Sequence, residues 1–115
     1  MRVLIVEPGK APRAADIEGS LDAMQAAVGG RIEAVYPFEE PVALVCNAEG
    51  KLLGLPPNRA LRAPETGEAC DMVCGTFFLC AAPPDSECFE GLSEEQVERY
   101  TELFRLPESF PEAGL

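Results

Sequence analysis

The chain has 115 residues, 47% apolar and 25% charged, with twenty acids against nine bases for a net charge of −11. That length makes one domain with a real core, and that composition excludes a disordered tail. The charge excludes a surface that draws in nucleic acid or anionic membrane.

Residues 2–7, RVLIVE, are apolar on both alternating faces, which predicts a central strand. Pro8 closes it in a turn, and 11–16 read as loop. Ser20 is the expected N-cap of a short helix whose stripe is Leu21, Met24 and Val28, ended by Gly29-Gly30. Residues 31–36, RIEAVY, alternate as a half-exposed strand ended by Pro37. VALVC at 42–46 is apolar on both faces again. Asn47 to Gly50 then fits a hairpin loop, with Gly50 at a positive φ and Lys51-Leu52-Leu53 as the return strand. Residues 55–69 read as a loop braced by Pro56, Pro57 and Pro64, and 71–80 as the longest strand. After Pro83-Pro84 comes the strongest local signal. Ser93 and Gln96 make a capping box, Leu92 and Val97 the staple, and Val97, Tyr100 and Phe104 the buried stripe. The predicted class is α+β, in the order β-α-β-β-β-β-α. It has a single mixed or antiparallel sheet of about five strands. Residues 1–106 are expected to form the domain and 107–115 a tail. Three two-faced strands with only two helices leave room for a homodimer through an uncovered face.

The five cysteines, Cys46, Cys70, Cys74, Cys80 and Cys88, are odd in number and contain no C-x-x-C pair, and histidine is absent. That argues against a disulfide framework, a histidine-based catalytic site and a built zinc site. The cysteines are expected to be reduced core residues, and no metal or cofactor is expected. No run of about 18 apolar residues offers a membrane span. The N-terminal MRVLIVEPG is too short in its apolar run for a signal peptide. The expected location is the cytoplasm.

Candidate sites follow from charge. Residues 85–115 carry nine acids against Arg99 and Arg105, a net −7, so residues 1–84 supply the other −4. Glu94, Glu95, Glu98 and Glu102 lie along the last helix and form one candidate surface, suited to a basic partner. Asn58, Arg59 and Arg62 form a second, because arginine forks suit carboxylates and a proline-braced loop holds them ready. Arg59 and Arg62 could equally neutralise the domain's own acids, Asp71 among them. Glu7 and Lys10, at a strand-to-turn junction, are a weak acid–base pair, and Asp71 is a weak polar candidate on a strand.

Several stretches together resemble a known family: VEPG at 6–9, VGGRIEAVYPF at 28–38, NAEGKLLGLPPNRALR at 47–62, GTFFLC at 75–80 and LSEEQVERY at 92–100. It is an uncharacterised small-domain family of conjugative elements and phages of Gram-positive gut bacteria. The resemblance covers nearly the whole chain and implies a setting, the mobile element, without implying catalytic residues. The longer proline-containing stretch after Arg62 and the extra cysteines depart from the family pattern. The expected function is a non-catalytic, protein-binding accessory module of a mobile element, with no direct contact to nucleic acid. The alternative is an acidic nucleic-acid mimic that occupies the basic cleft of a host defence protein.

Overall fold

Val3, Leu4, Ile5 and Val6 are all buried, because the strand they form has a neighbour on each side and a covering layer on each face. The computed structural model describes residues 1–62 and 66–108, the Cys70 side chain excepted. In chain order the elements are β1 (Arg2–Val6), β2 (Arg13–Asp16), α1 (Leu21–Val28), β3 (Ile32–Val35), β4 (Val42–Asn47), β5 (Pro57–Arg62), β6 (Ala69–Cys74), β7 (Phe77–Ala81) and α2 (Glu94–Leu103). Five strands make one antiparallel sheet in the order β2-β1-β7-β4-β3, and β5 and β6 pair separately. The class is α+β, with two helices among the described residues.

Alternation along the three central strands divides the core in two. Leu4, Val6, Leu44, Phe77 and Leu79 point to the face covered by Tyr100 and Phe104 of α2 and by Leu61 and Val73 of the β5–β6 pair. Val3, Ile5, Ala43, Val45, Phe78 and Cys80 point to the face where Val28, Met24 and Ala27 of α1 lie. Full burial of each large side chain contributes about 1.5–3 kcal/mol. Among the described residues both faces of the three central strands are covered.

The helices begin where expected. Ser20 Oγ accepts from the Ala23 amide, and Ser93 and Gln96 complete the capping box. Gly29 ends α1 at φ 80°. The α1 stripe needs one correction: Val28 is buried and Met24 half-buried, but Leu21 is 54% exposed.

Four strand expectations are also corrected. Arg13–Asp16 is a strand rather than a loop, paired with β1 from Arg2↔Asp16 to Ile5↔Arg13. Its RAAD sequence has little β preference, so the neighbouring ladder decides. Lys51–Leu53 is a turn rather than a return strand, since β4 already has β3 and β7 as neighbours. Residues 57–62 are a strand; Pro57 stands first in it, the position where a missing amide is tolerated. Residues 71–80 are two strands, broken at Gly75 with φ 85°. Gly50 does not adopt a positive φ. It is needed because a Cβ there would meet the Cys74 carbonyl oxygen at 2.6 Å.

Candidate functional site

Pro56-Pro57 and Gly75 bring the start of β5 against the end of β1, and this buries two of the residues expected on a loop surface. Asn58 is 0% exposed and Arg59 1%. Asn58 Nδ2 donates to the carbonyls of Val6 (2.8 Å) and Gly75 (2.9 Å), and its Oδ1 accepts from Arg59 Nη1 at 2.8 Å. Arg59 Nη2 donates to the carbonyls of Lys10 (2.7 Å) and Phe104 (3.0 Å). Phe104 is the C-cap of α2, so the guanidinium satisfies a carbonyl the helix leaves orphaned and places its charge at the negative end of the dipole. Burial lowers its pKa, and the nearby Glu108 carboxylate opposes this. Asn58 and Arg59 are a clamp joining β1, β5, the 7–10 turn and α2. The exposed loop is corrected for both.

Arg62 alone of that trio is exposed, with long contacts to Glu108 (3.4 Å) and the Gly67 carbonyl (3.3 Å). Glu7 pairs with Arg13 at 3.3 Å, not with Lys10. Asp71 pairs with Lys51 at 2.6 Å instead of an arginine; that contact first, and the Met72 amide second, holds its carboxyl below the usual range. Among the described residues neither weak candidate converges with other groups on one site.

Arg62 lines a groove of about 520 Å³ between α2, β5 and the 37–40 segment. Phe38, Leu61, Tyr100, Leu103 and Phe104 give it an apolar lining. Aromatic packing shapes that lining: Phe38 lies 4.8 Å from Tyr100 and Phe77 lies 5.5 Å from Phe104, centroid to centroid. Polar groups rim it, with Arg62 and Glu108 on one side and Arg99 and Glu40 on the other. Glu40 Oε1 accepts from the Tyr100 hydroxyl at 2.5 Å and from Arg99 Nη1 at 2.7 Å. The Tyr100 contact, with Arg99 behind it, lowers the Glu40 pKa against the opposing effect of burial. Burial, then Glu40, raises that of Tyr100.

The sequence reading missed this site. Glu40 and Tyr100 stand sixty residues apart, and no local pattern joins them. Asn47 was missed too: it is buried, its Nδ2 donating to the Val28 carbonyl at 3.2 Å and so capping α1.

The acidic candidates are placed together. At about 3.6 residues per turn, Glu94, Glu98, Glu102 and Glu95 occupy roughly a 100° arc of α2, followed around the helix by Arg99 and then Leu103. All four are exposed. Their stripe therefore borders the groove. Cys46 and Cys80 are buried and Cys74 half-buried, as core thiols are, but Cys88 is exposed, which corrects its expected place in the core. The Cys70 side chain lies outside the described residues. Among the described residues no three metal-ligating side chains cluster, and no helix is long and apolar enough to cross a membrane.

An acidic α+β domain with an apolar groove beside a carboxylate stripe is the class these features define. The chain belongs to the family described as a domain of unknown function, DUF3846, whose model matches residues 1–105. No curated protein and no solved structure matches it.

Proposed function

We propose that the chain is a non-catalytic, protein-binding accessory module of a mobile genetic element, acting in the cytoplasm of a Gram-positive gut bacterium. The observation that carries the binding role is the groove between α2 and β5. Its volume is of the size that holds a ligand or a partner's anchoring side chains, and its lining is mostly apolar with a few polar groups at the rim. Leu103, at its edge, is 61% exposed, an apolar side chain left uncovered by the fold. The setting rests on the resemblance of the sequence motifs alone.

The second reading is the acidic nucleic-acid mimic. The continuous exposed stripe Glu94, Glu95, Glu98 and Glu102 favours it, because a mimic needs its carboxylates in a row. Affinity capture from host lysate separates the two. A partner lost with Leu103→Glu supports the groove module. A partner indifferent to Leu103→Glu but lost when the four glutamates become glutamine supports the mimic.

A further inference from the structure

We infer that the groove and the α2 stripe form one docking surface, and that its occupant is a short basic amphipathic segment of a protein partner. This rests on the groove-module reading and adds the chemistry of what binds.

The geometry sets two requirements on the occupant. The groove, lined by Phe38, Leu61, Leu103 and Phe104, takes an apolar anchor, since water there makes few hydrogen bonds. Arg99 and Leu103 lie between this groove and the stripe, so a segment seated in the groove extends over α2. There it meets Glu95, Glu98 and Glu102, all exposed, with Glu94 at the helix start. None of these four is in an ion pair among the described residues except Glu102, whose partner is Arg105 at 3.3 Å.

The rim matches this chemistry. Arg62 and Arg99 have their charges met by Glu108 and Glu40, so neither guanidinium stands as an unbalanced cation against a basic ligand. Glu39 adds another carboxylate to the groove's edge. The local charge is thus negative within a chain of −11, and charge complementarity selects a cationic partner. Apolar anchors beside lysine or arginine are the pattern of a helix or strand that lies in a groove and is steered by charge.

The test is selection of random short peptides displayed on phage against the intact chain, followed by binding measurements on the enriched sequences at low and high salt. The expected peptides carry one or two large apolar residues beside several Lys or Arg. Leu103→Glu is expected to abolish their binding. Changing Glu94, Glu95, Glu98 and Glu102 together to Gln is expected to weaken it roughly tenfold or more and to flatten its salt dependence. Thermal melts of both variants check that the fold persists, and all five side chains are exposed. Groove-dependent peptides that are neutral or acidic overturn the inference and leave the module reading standing. Peptides that bind Leu103→Glu as well as the unaltered chain, or no enrichment at all, overturn both. A self-association in sedimentation that Leu103→Glu abolishes also overturns it, since a second copy would then fill the groove.

Discussion

Arg59 is the residue on which the fold leans most. Removing its side chain leaves Asn58 Oδ1 and the Phe104 carbonyl short of a donor where they are buried, and the Lys10 carbonyl short of one where it is part-buried. Each such loss costs about 1–3 kcal/mol. Arg59→Ala is therefore expected to destabilise the chain by roughly 3 kcal/mol or more, and Arg62→Ala by within about 0.5 kcal/mol, in denaturant melts. Arg59→Lys should recover only part of the loss, because an ammonium cannot reproduce a planar fork. The sequence offers this spot either as an exposed binding loop or as a structural clamp, and burial places Arg59 in the second role; arginine is almost never fully buried unless paired. Its partners are a side chain next to it and carbonyls about fifty residues away, which no local pattern displays. The thiols divide in the same way. Burial raises Cys46 to about 11 and Cys80 to about 12. Alkylation at neutral pH is expected to label exposed Cys88 quickly and to spare Cys46 and Cys80 until the chain unfolds, as peptide mass mapping will show.

Elements whose signal is local were legible; those fixed by distant partners were not. The capping box and buried stripe of α2 sit within twelve residues, and the apolar runs at 2–6 and 42–46 name central strands directly. β2 and β5 escaped because RAAD has little β preference and Pro56-Pro57 reads as loop. The turn between β4 and β5 depends on Gly50, packed against the Cys74 carbonyl. Gly50→Ala is expected to lower the melting temperature more than Gly54→Ala, which strains φ 70° in open space and costs on the order of 1 kcal/mol. The Glu40–Tyr100 bond links the 37–40 segment to α2 and carries a pH signature. A folded pKa below the ordinary 4.5 means that Glu40 contributes stability above that value and loses it as pH falls through the lowered one. Tyr100, raised from 10.0, contributes below that value and loses it as pH rises. Tyr100→Phe should cost about 1–2 kcal/mol at neutral pH and flatten both limbs of the stability profile, measured by melts across the pH range. An unchanged acid limb would show that Arg99 and Gln96 hold Glu40 without Tyr100.

For the whole molecule, the layers on the two faces of one sheet leave an apolar groove at the seam between α2 and β5, and the acidic surface runs along its edge. The fold uses Asn58, Arg59 and Asn47 to hold that seam and the opposite helix in place, so the candidate surface is Arg62, Arg99, Leu103 and the glutamates of α2. The central claim is that partners enter by this groove. Its most direct test is an amide chemical-shift map of the isotope-labelled chain titrated with a peptide enriched by display. The largest shifts are expected at 37–40, 60–62 and 99–104, with smaller ones at Glu94, Glu95 and Glu98. Shifts confined to α1, β2 or the 50–54 turn, with the groove silent, would contradict it.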